Sequence, residues 1–164
     1  MHLGSVRVYF TSFNMTDYII RPINRNDSRR IWEIRNHSLA RQNSSNPEEI
    51  TLEKHDQWFE NRYFKDSSNV CFILETKENI IGYCRFDTDD NDRYVISIAL
   101  DHDWQGKGLG HILLSGSLQK IPENKEVLAI VKKGNPASLK LFQKNNFQLD
   151  KEDEINYYFI FRQN

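Results

Sequence analysis

Gly106, Gly108 and Gly110, with Lys107 between the first two, form a cluster in this 164-residue chain with the means to hold a phosphate. Glycine adopts positive φ at little cost and lets the backbone come close, so neighbouring N–H groups can converge on an anion. From Gly108 onward Leu109, Ile112 and Leu113 recur at helical spacing, which predicts a helix starting inside the cluster. Its first turn adds unpaired N–H groups and the positive end of the helix dipole, and Lys107 adds a full charge. The chemistry is that of a pyrophosphate cradle.

The pattern departs from two common cradles. A P-loop carries Ser or Thr directly after Gly-Lys, whereas Gly108 follows Lys107. A dinucleotide fingerprint requires glycine where His111 stands, and it opens a chain instead of lying two-thirds along it. Groups able to move protons are few. His55 titrates in the useful range, and Asp87 shares one strand face with Arg85 by period-two alternation. Ser97 is a polar residue between Ile96 and Ile98 on the neighbouring strand. His55, Phe59 and Arg62 fall on one side of a helix, with Trp58 beside them.

These groups need a scaffold. Tyr18 to Arg21 reads as a strand ended by Pro22, followed by a helix capped at Asn26 or Asp27 and running to about Asn36. Residues 37–46 are polar and read as a loop, and Thr51 caps a second helix through about Tyr63. Val70–Leu74, Ile80–Phe86 and Tyr94–Leu100, joined by short polar turns, predict an antiparallel meander. The cradle helix follows, then a buried strand at Val127–Val131. A helix with Pro136 at its first position comes next, and a closing hairpin spans Gln148–Glu154 and Tyr157–Arg162. The order β-α-α-β-β-β-α-β-α-β-β predicts an α+β fold, a mostly antiparallel twisted sheet flanked by helices.

Composition narrows the class. Hydrophobic residues make up 38% and charged residues 27%, enough for one domain with a core. Lys+Arg total 22 against Asp+Glu 23, a balance that argues against a nucleic-acid partner. No apolar run spans a bilayer, so no membrane partner is expected. Cys71 and Cys84 lie in strand-like runs without metal-ligand spacing, which predicts free thiols, no metal and a cytoplasmic setting. The domain is expected over residues 15–164, with residues 1–14 an extension. Monomer and homodimer both remain open.

Gln105-Gly-Lys-Gly108-Leu-Gly110 resembles the acetyl-coenzyme A loop of the GNAT superfamily of N-acetyltransferases, and the element order matches that fold. Asn135-Pro-Ala-Ser138-Leu-Lys-Leu-Phe142-Gln-Lys-Asn-Asn-Phe147 is similar to a second motif of the superfamily. The resemblance implies acetyl-CoA as co-substrate and transfer of acetyl to an amine. It implies cofactor contacts at Ile98, Leu100, Gln105, Gly106, Lys107, Gly108, Leu109, Gly110, Asn135, Ser138 and Phe142. The strand before the loop splays from its neighbour in the family, so the Ile98 and Leu100 backbones would pair with the pantetheine, and one amide would hold the oxyanion. The family often uses a tyrosine acid where this chain has Phe142, which cannot donate a proton. Ser138 or water is the alternative donor, and His55, Asp87 and Ser97 are the candidates for handling the amine proton.

A finer resemblance lies in Trp32-Glu-Ile-Arg35-Asn36-His, Ile50-Thr-x-Glu-x-His55-x-x-Trp58-Phe59 and Tyr83-Cys-Arg85-Phe86-Asp87. These look like acetyltransferases acting on nucleotide-linked amino sugars of flagellin nonulosonic-acid pathways. That resemblance implies Trp58 stacking on a ring, Arg35 and Arg41 pairing with phosphate, and Asn36 and Asn43 bonding hydroxyls, with His55 and Arg85 beside them. Three alternatives stay open: a protein N-terminus or lysine, a polyamine or aminoglycoside met by Asp87, Asp89, Asp90 and Asp92, and a non-catalytic acyl-CoA-binding module.

Overall fold

A computed structural model describes residues 17–163 and the backbone of residues 6–8. The strands are β1 (Val6–Val8), β2 (Tyr18–Pro22), β3 (Val70–Glu75), β4 (Ile80–Thr88), β5 (Tyr94–Leu100), β6 (Val127–Lys132), β7 (Gln148–Glu152) and β8 (Asn156–Phe161). They form one sheet in the order β1-β2-β3-β4-β5-β6-β8-β7. Every neighbouring pair is antiparallel except β5 and β6. The helices are α1 (Ser28–Asn36), α2 (Ser38–Asn43), α3 (Leu52–Glu60), α4 (Leu109–Leu118) and α5 (Pro136–Lys144). The expected α+β sheet and its meander are present.

Alternation along the strands divides the core in two. Phe72, Leu74, Cys84, Phe86 and Ile96 pack with Leu109, Leu113 and Phe142 of α4 and α5. Cys71, Ile73 and Tyr83 turn to the other face and meet Ile31, Ile34 and Phe59 of α1 and α3. The two cysteines therefore lie on opposite faces, free and buried. Arg85 and Ser97 are direct cross-strand partners, and so are Asp87 and Val95. Tyr83, Arg85, Asp87 and Ser97 thus all face α1 and α3.

The region expected as a loop over residues 37–46 contains α2. Its six residues have no apolar periodicity, and a cap and one long-range bond hold it instead. The Leu39 N–H donates to His37 Nδ1, and Lys132 Nζ donates at 2.9 Å to the Gln42 carbonyl. The second expected helix ends at Glu60, and a wider π turn, Asn61–Lys65, completes it. Of the expected extension, residues 1–5 and 9–14 lie outside the described residues, while Val6–Val8 pairs with β2 at the sheet edge. No helix among the described residues is long and apolar enough to cross a membrane.

Candidate functional site

The parallel pair is brief. β5 and β6 are matched only at Tyr94–Val127 and Val95–Leu128, and beyond them the strands part. The Tyr94 N–H donates to Glu126 on the β6 side, and the Asp101 N–H donates to Ile81 on the β4 side. Period-two alternation then turns the Ile98 and Leu100 N–H groups toward the gap, past the last matched pair. A cavity of about 1020 Å³ runs through this gap, lined along its middle by Ile96 to Leu100.

At one end stands the glycine loop. Gly106 and Gly108 take φ of +74° and +76°, where a side chain would be strained, and nothing lies within 4 Å of where a Cβ would project. Gly108 caps α4 without any side-chain hydrogen bond, so the N–H groups of the first turn are not taken by a cap. This is a ready anion site. Gln105, Gly106, Gly108 and Gly110 line the cavity. Gln105 Nε2 also reaches the Leu100 carbonyl at 3.4 Å. Leu109 instead belongs to the core, and the Lys107 ammonium lies 5.0 Å over the Trp104 ring, outside the cavity wall. Asn135 caps α5 by accepting from the Ser138 N–H at 3.2 Å, while its Nδ2 donates to Ser138 Oγ at 2.9 Å. The Ser138 hydroxyl hydrogen is left for another partner. Phe142 lines the same wall, edge-on to Phe147 at 4.9 Å.

Away from the loop the lining is aromatic and charged, with Glu48 and Glu49 in the wall as well as the arginines. Trp58, His55, Arg35, Asn43, Arg85 and Ser97 converge there. The Arg85 guanidinium lies 5.1 Å from the Trp58 ring centre and donates at 2.8 Å to Asp87. Asp87 also accepts from the Tyr63 hydroxyl at 2.9 Å and lies 3.4 Å from Arg62 Nε. With cations or hydroxyls on both oxygens and no place in the lining, Asp87 acts as counter-ion to Arg85.

His55 is 2% exposed, with its Nε2 buried and without a hydrogen-bond partner. Burial lowers its pKa to about 4, Asp56 and a hydrogen bond to the Ser28 backbone oppose the shift, and Arg35 and Arg85 reinforce it. The ring is neutral at pH 7 and is a weak base.

Arg35 donates to the Asn36 side chain at 3.0 Å and to the Glu48 carbonyl at 2.8 Å. Asn36 does not line the cavity. It braces the 44–50 segment through two bonds to Ile50, at 2.7 and 3.2 Å. Arg41 likewise turns to the Asn36 and Pro47 carbonyls. Sequence reasoning overlooked Tyr83, Glu48, Glu49, His111, Lys140 and Lys144, all in the lining. The alternation that placed Arg85 also places Tyr83, and Lys140 and Lys144 share a helix face at i,i+4. The 44–50 segment carries no such local signal.

The sequence matches the family described as "Acetyltransferase (GNAT) domain" over residues 17–148. No curated protein matches it. Among solved structures, yncA of Salmonella typhimurium with its cofactor acetyl-CoA aligns at 20% identity and TM-score 0.74, covering 90% of this chain and 94% of that one. Spermidine N-acetyltransferase of Vibrio cholerae, in complex with CoA and spermine, aligns at 17% identity and TM-score 0.76, covering 89% and 95%. An N-acetyltransferase of Staphylococcus aureus Mu50 aligns at 20% identity and TM-score 0.71, covering 90% and 99%.

Proposed function

The chain belongs to the GNAT acetyltransferase family and is an N-acetyltransferase that uses acetyl-CoA; we propose that its acceptor is the amino group of a nucleotide-linked amino sugar. Arg35 carries the proposal. It lines the cavity, it donates to the neutral oxygens of Asn36, Glu48 and Asn46, and burial lowers its pKa, with Tyr83 opposing the shift and Arg85 and Arg41 adding to it. A cation so placed favours an anionic ligand, and a guanidinium matches phosphate in particular. Trp58, braced by Arg85, offers a flat apolar face to a ring, and Asn43 offers hydrogen bonds to hydroxyls.

The donor supplies an activated acetyl group as a thioester. The amine nitrogen bonds to the thioester carbon, the C–S bond breaks, and the proton lost by nitrogen ends on the departing sulfur or in water. The free N–H of Ile98 or Leu100 holds the negative charge that develops on the carbonyl oxygen. The loop at 105–110 anchors the pyrophosphate and so fixes that oxygen's position. His55 holds a proton poorly and Asp87 is occupied, so the acceptor enters as a neutral amine. Ser97, across from Arg85, passes the released proton to water, from which the sulfur is protonated, and the Ser138 hydroxyl donates a hydrogen bond to the departing thiolate.

The test is coenzyme A release with UDP-linked 4-amino sugars, beside spermidine and a ribosomal-protein peptide. Release with the sugars, reduced at least tenfold in kcat/KM by Arg35→Gln, supports the reading. Release with spermidine alone overturns it. The polyamine reading has one observation in its favour, the presence of Glu48 and Glu49 in the cavity wall. Asp89 and Asp92 do not contribute, since they bind Arg93 and Lys125 outside that wall.

A further inference from the structure

We propose that the Tyr83 hydroxyl orients the acceptor for attack, its oxygen accepting a hydrogen bond from the neutral amine. This deepens the acetyl-transfer reading and rests on it, but not on the acceptor being a sugar. Tyr83 pairs across β4 and β5 with Ala99, which stands between Ile98 and Leu100. A carbonyl oxygen held by either of those amides brings the thioester carbon level with Tyr83, whose side chain rises from the sheet on the face toward α1 and α3. Packing on Ile31, Ile34 and Phe59 fixes the ring. Tyr83 lines the cavity, and its hydroxyl makes no hydrogen bond among the described residues. The residue is 7% exposed, and its oxygen, unlike His55 Nε2, keeps accessible surface.

Few groups beside Tyr83 can receive an amine N–H. Asp87 is occupied by Arg85, Tyr63 and Arg62, and His55 Nε2 is sealed. The charges that act on Tyr83 are Arg85 and Arg35, set against an Asp87 that its own partners already neutralise. An ammonium is disfavoured beside two guanidiniums, so the amine arrives with its lone pair free. Such an amine still needs acceptors for its N–H groups once it leaves water. A guanidinium has no lone pair to offer, whereas a phenol oxygen does. Burial raises the Tyr83 pKa above its usual value, so the hydroxyl stays neutral at pH 7. As nitrogen bonds to the thioester carbon it gains positive charge, and its N–H donates more strongly. The bond to Tyr83 is therefore strongest in the transition state. One amine hydrogen stays turned to Tyr83 while the other leaves through Ser97 and water, and the phenol neither gains nor loses a proton.

Tyr83→Phe keeps the ring and removes the oxygen. It is assayed by coenzyme A release with whichever of the UDP-linked 4-amino sugars, spermidine and the ribosomal-protein peptide the wild type acetylates. The kcat should fall on the order of tenfold, while KM for the amine moves by less than about twofold. The thermal shift produced by acetyl-CoA should equal that of the wild type. An unchanged kcat overturns the proposal. So does a loss carried wholly by KM, or one accompanied by a lost thermal shift, which marks a packing role. Replacing Tyr83 with 3-fluorotyrosine separates a hydrogen-bond acceptor from an acid, since fluorine makes the hydroxyl a poorer acceptor and a better donor. A lower kcat supports the proposal, and an equal or higher one overturns it. If spermidine or the peptide is acetylated and no sugar is, the sugar reading fails and Tyr83 is judged on that amine. Release with none of them overturns the acceptor reading and this assignment together.

Discussion

Arg85 donates at 2.8 Å to Asp87 while its guanidinium carbon stands 5.1 Å from the Trp58 ring centre. The carboxylate thereby sets the angle at which the arginine supports the aromatic wall. Asp87→Asn should weaken that support and cost about 1–3 kcal/mol of stability, since a partly buried cation loses its counter-charge. Urea denaturation reads the cost. The pH–rate profile should keep its shape, only lower, whereas loss of its acidic limb would restore Asp87 as the base.

Gly108 has room for a side chain and no permissible backbone for one. At φ +76° with nothing near its Cβ position, Gly108→Val meets strain, not a clash. The thermal shift produced by acetyl-CoA should disappear. Gly108→Asn, which tolerates positive φ, should retain part of it. Equal shifts in wild type and the valine variant would remove the loop from the cofactor site.

Stability should fall on acidification between about pH 6.5 and pH 4. His55 has a folded-state pKa near 4, below its unfolded value, so across that window the unfolded chain binds a proton that the native chain refuses. The loss is on the order of 2 kcal/mol, and His55→Phe should flatten this part of the curve. The curve is measured by urea midpoints at stepped pH.

Phe142 fills the position where the family often places an acid, and it is packed against Phe147 at 4.9 Å. If Ser138 or water serves the thiolate, Phe142→Tyr should change turnover by less than about threefold, because thiolate is a good leaving group. Ser138→Ala should lower it by a similar or larger factor. A large gain in the tyrosine variant, read by coenzyme A release, would show that protonation limits the wild-type rate.

The cradle and the Asn135 cap were legible because their signals are local: glycines at positive φ, and an Asn-Pro pair whose side chain closes the next turn. The strands were legible through alternation, to within a residue or two at their ends. α2 was not, since Ser38–Asn43 owes its helix to His37 and to Lys132, which is 90 positions away from Gln42. His55 lines the cavity as expected, but its fitness as a base was not legible. Whether an imidazole is a base depends on burial and on Arg35 and Arg85, which only the tertiary structure brings near it. Asp87 is similar, for Tyr63 and Arg62 come from a different element.

Among the described residues, two matched pairs between β5 and β6 are all that joins the two plates of the sheet by backbone pairing, while one core packs against both. Each plate has its own ladder, β1 to β5 on one side and β6, β8 and β7 on the other. In the binding mode proposed above, the donor lies along the freed edge of β5 and is therefore also a clamp. At a hundredfold excess over its dissociation constant it adds about 2.7 kcal/mol. With the donor paired along that edge, the Ile98 and Leu100 amides should exchange with solvent quickly in the empty protein and slowly in the loaded one.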